Sequence, residues 1–361
     1  MTQPNGITSP ADPALDELCR QLAGRAEPLD RTEAWPAEQL ELCGRFGVYE
    51  WFMPHEWGGQ AWSDTDTIRG YLRLSAACLT TAFIITQRTG ACLRIAASEN
   101  QQLKELLLPD LVSGDSFATV GISHLTTSRR HLARPVLRAE ETGEGFVLDG
   151  FSPWVTGGNQ ADTIVTGATL DDGRQILVAL PAGLPGVSTP QPPRLVGLTS
   201  SNTGEVHCKQ VLVPRERLLA GPLENVMQTG AGAGTGGLQT STLAIGVAAA
   251  AIEYLQTEVQ RRSELAEPTD ELARSHKQLE NALMALAAGQ AVCSNEQLRA
   301  RANSLVLRAS QAALAAAKGT GFVVGHPAGR WCREALFFLV WSCPQPVLAA
   351  NLCELAGLGD S

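Results

Sequence analysis

Residues 145–168 read GFVLDGFSPWVTGGNQADTIVTGA, and the fold turns on this stretch. Short runs rich in Val, Ile, Thr and Phe are set off by glycines, the pattern of strands joined by turns. At the centre, Trp154-Val155-Thr156-Gly157-Gly158 brings together an indole, a hydroxyl and a tight glycine turn. Two readings stand side by side. One is a tryptophan packed at a hairpin turn; the other is a flat slot with an indole wall, a hydroxyl donor and free backbone amides. The second would suit a flat heterocycle that forms hydrogen bonds.

The same pattern extends on both sides. It opens at Phe117, and residues 136–139, 145–150, 163–166, 175–180 and 204–213 read as short strands separated by Gly, Asp-Asp-Gly and Pro turns. They predict a small antiparallel barrel or sandwich. Upstream, Leu15, Leu18, Cys19 and Leu22 recur at helical spacing, and Trp35-Pro36 starts a helix ahead of residues 38–43. An aromatic-rich loop covers residues 46–59, followed by helices over 64–77, 80–97 and 101–112. Downstream, alanine-rich helices are expected over 235–262, 271–290, 295–318, 328–341 and 347–358. The expected fold is α+β and multidomain. An N-terminal helical domain (1–115) precedes a central antiparallel β-barrel or sandwich (116–225) and a C-terminal four-helix-type bundle (226–361).

Composition narrows the function. A chain of 361 residues, 44% of them hydrophobic, has material for a large core shared by sub-domains. A formal charge of −9, without a run of like charges, argues against a nucleic-acid partner. No apolar run approaches the length of about eighteen residues that a membrane helix needs. The polar, acidic start predicts no secretory signal. Nine scattered cysteines without C-x-x-C, and six histidines without H-x-x-x-H, predict reduced packing thiols in a cytoplasmic protein and no metal site. Residues 232–237 satisfy G-x-G-x-x-G, but 224–229 make a poor strand before them, so a helix entry is expected there and not a dinucleotide fingerprint. Arg129, Arg130 and Arg134 read as a solvated turn or a phosphate contact.

The order of elements and four motifs resemble the acyl-CoA dehydrogenase family. The motifs are Pro54-His55-Glu56-Trp57-Gly58-Gly59, Trp154-Val155-Thr156-Gly157-Gly158 followed by Ala161-Asp162, Val213-Pro214 through Leu218, and Gly319-Thr320-Gly321-Phe322 followed by Arg333-Glu334. The resemblance covers nearly the whole chain. It implies FAD as cofactor, an acyl-CoA or similar small-molecule substrate, and a homodimer or homotetramer. It places the flavin ring against Trp154 and Val155, directs the Thr156 hydroxyl at the ring, and puts Ser123 in a flavin-facing position. It also gives Arg261, Gly319 and Gly321 to the cofactor, Arg261 meeting the pyrophosphate from a neighbouring subunit.

The chain departs from the family where the chemistry is expected. Desaturating an acyl thioester needs a base within about 3 Å of the α-proton. At the usual glutamate position stands Ser342, and at the alternative position on the long helix stands Gln239. Neither is a base at neutral pH. Glu334 matches a structural acid, and Cys343 has no nearby cation in sequence to activate it. The flavin loop has become 124–130 without glycine, the Arg-x-x-Phe-Gly phrase has become 261–265 without Phe-Gly, and Ala315 stands for the family's glutamine. Three functions follow: an FAD-dependent oxidoreductase with a non-standard or absent base, a flavin-dependent monooxygenase of the same fold, or a non-catalytic scaffold or regulatory paralogue.

Overall fold

A computed structural model of the chain describes residues 6–126, 135–228 and 237–358. The three arginines at 129, 130 and 134 and most of the glycine-rich 232–237 stretch lie outside the described residues.

Helix α1 (Pro13–Thr32) starts on a proline, capped by the Asp12 carboxylate accepting from the Ala14 amide, and α2 (Ala37–Arg45) follows Pro36. Helices α3 (Asp64–Ala77) and α5 (Gln101–Ser113) carry Ser63 and Asn100 as side-chain caps. Between them, α4 (Leu79–Ala96) is buried on nearly every side from Leu79 to Ile95. It is wedged between the other helices and the sheet.

The chain then forms β1 (Ala118–Gly121), the one-turn α6 (Ser123–Thr126), β2 (Leu137–Glu141), β3 (Gly145–Val155), β4 (Thr163–Thr169), β5 (Gln175–Pro181), β6 (Val187–Ser188), β7 (Gly204–Pro214) and β8 (Leu218–Leu223). These make one eight-stranded sheet in the order β6-β7-β3-β2-β4-β5-β8, with β1 beside β4. Most neighbours are antiparallel, but β4 meets both β1 and β2 in parallel; β3, antiparallel to β2, carries the chain back before β4 begins. Strand β8 escapes the sequence pattern because Gly221-Pro222 interrupts it; proline is tolerated there because β8 is an edge. Alternation gives the sheet two dry faces. Val165, Leu177 and Ala179 pack on Ala91, Ile95 and Leu108, while Ile164, Ile176 and Val178 pack on Phe146, Leu148 and Val211.

Among the described residues, five α-helices follow: α7 (Gln239–Val259), α8 (Ala266–Ala287), α9 (Asn295–Gly321), α10 (Pro327–Phe337) and α11 (Gln345–Leu355). Helix α7 presses on α3 at Gly246, where a Cβ would stand 2.0 Å from Ser75 Oγ and 2.6 Å from the Leu72 carbonyl. One core joins Leu18, Leu74 and Ile84 of the first helices to Leu243, Ile245, Leu305 and Phe338 of the last. The helical blocks at the two ends of the sequence therefore share an interior. One expected helix is shorter than its pattern: α10 stops at Phe337, and residues 338–342 turn, because the buried Arg299 guanidinium takes the carbonyls of Phe338 and Trp341 at 3.0 and 2.9 Å.

Candidate active site

The Trp154 motif lies at the end of β3, and hydroxyl groups strap β1 alongside it. Thr119 Oγ1 donates to the Thr156 carbonyl at 2.7 Å, and Ser152 Oγ and Thr166 Oγ1 both donate to the Gly121 carbonyl, at 3.0 and 2.6 Å. The Thr156 hydroxyl, itself buried, is 3.0 Å from Thr203 Oγ1, which is 2.8 Å from Ser201 Oγ. Val155 is buried in the sheet core, whereas the Trp154 side chain is 49% exposed. Gly157 has φ +63°, and a Cβ there would lie 2.6 Å from the Trp35 ring.

Half of the slot expected from sequence is present. The indole face is open. The Gly157 amide is not free, because it donates to the Ser201 and Asn202 carbonyls at 2.9 and 3.1 Å. The loop that takes this amide arrives from 44 or 45 residues later in the chain, so no local pattern reveals it.

Ser123 begins α6, two residues past the end of β1, and its buried Oγ has no hydrogen-bond partner among the described residues. A buried hydroxyl left unpaired is costly and fits a contact to a bound polar group. Next to it, His124 Nε2 donates to the Gly167 carbonyl at 2.7 Å, and burial pulls its pKa down. The imidazole is therefore neutral at pH 7, with Nδ1 a buried acceptor that also lacks a partner among the described residues. The residues that frame Trp154 thus fit a flavin ring at its edge: an open indole and an unpaired hydroxyl.

The two positions that stand for a base are held firmly. Gln239, the first residue of α7, shares a hydrogen bond with the buried Tyr71 hydroxyl, which donates to Thr89 Oγ1 at 3.2 Å. Ser342 sits in the turn between α10 and α11 with φ 44°, in the left-handed region. That turn is clamped by Arg299, whose Nε also donates to Asn303 Oδ1 at 2.9 Å and whose pKa burial pulls down to about 10. Cys343, beside it, has its thiol pushed up by burial, against the activation a nucleophile needs. His326 caps α10, its Nδ1 accepting from the Ala328 amide.

Arg333 and Glu334, adjacent in sequence, have different partners. Arg333 reaches Asp30 on α1, while Glu334 lies 3.5 Å from Arg330. Burial pushes the Glu334 carboxyl up to about 7, with Arg330 opposing and Asp30 reinforcing the shift. A cleft of about 470 Å³ beside this cluster is walled by Asp30, Glu33, Arg194 and Arg333. Its arginines are matched by acids, Arg194 by Glu33 at 2.7 Å.

Arg261 is exposed beyond the end of α7. Gly319 faces open space, and a Cβ on Gly321 would meet Ala317 and Leu314 of its own helix. The segments around Arg261 and Gly319 are brought together, since residues 262–268 and 312–318 line one pocket. Among the described residues, no group of three or more His, Cys, Asp or Glu is placed to hold a metal ion. Nor is any described helix long and apolar enough to cross a membrane.

Residues 12–115 match the family model described as acyl-CoA dehydrogenase, N-terminal domain. A probable acyl-CoA dehydrogenase of Bacillus subtilis, YngJ, is 26% identical over 69% of this chain and 67% of its own length. The short-chain specific acyl-CoA dehydrogenase of mouse mitochondria is 24% identical over 89% of this chain and 84% of its own. Residues 12–115 thus carry the acyl-CoA dehydrogenase N-terminal domain, and the likeness to acyl-CoA dehydrogenases runs along most of the chain. In fold, this acyl-CoA dehydrogenase relative superposes on a glutaryl-CoA dehydrogenase of Mycobacterium smegmatis in complex with FADH2, with a TM-score of 0.79, 16% identity and 96% of each chain covered.

Proposed function

We propose that the chain is an FAD-dependent oxidoreductase acting on an acyl thioester, or a related small carbonyl compound, as a cytoplasmic homodimer or homotetramer. The carrying observation is the exposed Trp154 indole on the strand strapped to β1, with the unpaired, buried Ser123 Oγ just beyond β1. When bound, the flavin supplies the hydride acceptor. The chain's own part is to present the indole face, to hold Thr156 in place through Thr203, and to offer the Ser123 hydroxyl.

Neither Gln239 nor Ser342 can remove a proton at neutral pH. A flavin-dependent monooxygenase needs no such base, and these two uncharged side chains favour that second reading. The test is a visible spectrum of the purified protein after incubation with FAD. Absorbance in the flavin band supports both readings, and a colourless protein that rejects FAD overturns them. Anaerobic mixing with a series of acyl-CoAs then bleaches the flavin of a dehydrogenase and leaves that of a monooxygenase oxidised.

A further inference from the structure

The cleft of about 470 Å³ walled by Asp30, Glu33, Arg194 and Arg333 stands apart from the indole site: among the described residues that line it, none is Ser123, Trp154, Gln239 or Ser342. The end of α1, the first turn of α4, the loop over 194–200 and α10 meet there. Its two ends differ in chemistry.

The polar end holds donors with nothing to bind. Thr80, the second residue of α4, lines the cleft and is only 6% exposed, yet its hydroxyl makes no hydrogen bond among the described residues. A buried hydroxyl left so is costly and fits a polar ligand. The α4 N-cap, Cys78, supplies no side-chain hydrogen bond, so the positive end of an 18-residue helix adds to the same field. Arg194 gives its Nε–H to Glu33 Oε1 at 2.7 Å, and its terminal N–H groups make no hydrogen bond among the described residues. Arg333 is engaged twice, by Asp30 and by the Gly329 carbonyl at 3.2 Å, and serves as wall.

The other end is hydrocarbon. Val196 and Val324 line the cleft from segments far apart in the chain, and they are 71% and 75% exposed. An apolar chain laid over them removes that surface from water. The two acids bear on the charge of the ligand. Asp30 and Glu33 already balance Arg333 and Arg194 and would repel a dianion such as phosphate. A single carboxylate meets the planar fork of Arg194 with less repulsion.

We propose that this cleft binds an aliphatic monocarboxylate. The Arg194 terminal N–H groups and the Thr80 hydroxyl take the carboxylate, and the chain lies along Val196 and Val324. The site does not depend on flavin. One loop ties it to the indole turn: Ser200 Oγ donates to the Leu29 carbonyl at 3.1 Å beside the cleft, and Ser201 accepts from the Gly157 amide at 2.9 Å. A ligand seated in the cleft thus rests on the segment that fixes the Trp154 turn.

The experiment is calorimetric titration of the full-length protein, with and without added FAD, using butyrate, hexanoate, octanoate and the uncharged 1-octanol. Wild type is compared with Arg194→Gln, Thr80→Val and, as a distant control, Arg174→Gln. Octanoate should bind wild type, at least fivefold more weakly to Arg194→Gln and Thr80→Val, and equally well to Arg174→Gln. Affinity should rise roughly two- to fourfold per added methylene, and 1-octanol should bind at least tenfold more weakly than octanoate. Arg194 is exposed, so its variant decides the matter even if Thr80→Val fails to fold, which circular dichroism reports. Amide exchange in saturating octanoate should slow over 194–200 and the first turn of α4. No binding at millimolar octanoate, equal binding by 1-octanol, or equal binding by wild type and Arg194→Gln overturns the inference. So does slowed exchange confined to residues 154–157 or 338–344, which would put the ligand at the indole site.

Discussion

The Thr156 and Thr203 hydroxyls lie 3.0 Å apart, both buried, and join the Trp154 turn of β3 to the loop leading into β7. Thr156→Val leaves Thr203 with Ser201 alone and removes a polar group beside the proposed ring. Destabilisation of about 1–3 kcal/mol is expected for a buried hydroxyl lost from such a network. Flavin occupancy should fall further than in Thr203→Val, which disturbs the same link one residue removed from the ring. Thermal melts and absorbance after desalting check both; equal occupancy in the two variants counts against Thr156 as a ring contact.

Gly157 is committed by geometry. With φ +63° and Trp35 filling the space of its absent Cβ, Gly157→Ala combines an unfavourable backbone conformation with overpacking, together roughly 2–4 kcal/mol. Trp35→Leu in the same chain should recover the packing share and leave the backbone share. The comparison of chemical denaturation midpoints for the single and double variants separates them.

Burial pushes the Glu334 carboxyl up to about 7, above its ordinary value of 4.5. The folded state therefore binds this proton more tightly than the unfolded state. The contribution is fully favourable below 4.5 and declines as pH rises towards 7, a swing of about 3 kcal/mol if the whole shift is realised. Glu334→Gln should flatten that part of the stability profile. Melting curves of wild type and variant between pH 4.5 and 8 measure it; parallel profiles would show that Glu334 titrates elsewhere.

The order of helices and strands was legible, β8 beyond Pro214 and the one-turn α6 excepted, because the period changes at Phe117 and returns to helical spacing in the alanine-rich C-terminal segments. The helix starts read from apolar spacing at 64 and 101 fall where Ser63 and Asn100 cap the helices in the structure. Contacts between distant segments were not legible. Thr203 meets Thr156 across 47 residues, Asp30 meets Arg333 across 303, and Arg299 claims the carbonyls that would have continued α10. The motif at Trp154 announced an aromatic wall but not that its Gly157 amide was spoken for.

Arg299 holds the turn that carries Ser342. Replacing it by Met strands the Trp341 carbonyl and the Asn303 amide oxygen and leaves the Phe338 carbonyl with only the Asn303 amide at 3.1 Å, at about 2–4 kcal/mol. Amide exchange across residues 338–344 should rise more than in the neighbouring α11. Exchange increased evenly over the whole chain would mean that Arg299 serves global stability and not this turn.

The missing base can be supplied, and the two candidate positions are not equivalent. Ser342 has φ 44°, a left-handed conformation the native serine already bears, and it stands in the turn between α10 and α11 without a helix N-terminus to favour a carboxylate. Gln239 opens α7, and a carboxylate there keeps the size of the side chain and gains from the helix N-terminus, with the Tyr71 hydroxyl turning its proton from Thr89 to the new oxygen. If the chain is a dehydrogenase that lacks its base, Gln239→Glu should speed anaerobic flavin bleaching by acyl-CoA by about 10²–10⁴, the usual worth of a positioned base. Ser342→Glu should gain less. The bleaching rate should also rise with pH through the carboxylate's own titration, which an effect on binding alone would not produce. Flavin that stays oxidised in Gln239→Glu, with acyl-CoA demonstrably bound, would remove the dehydrogenase reading and favour oxygen-dependent chemistry at the same indole face.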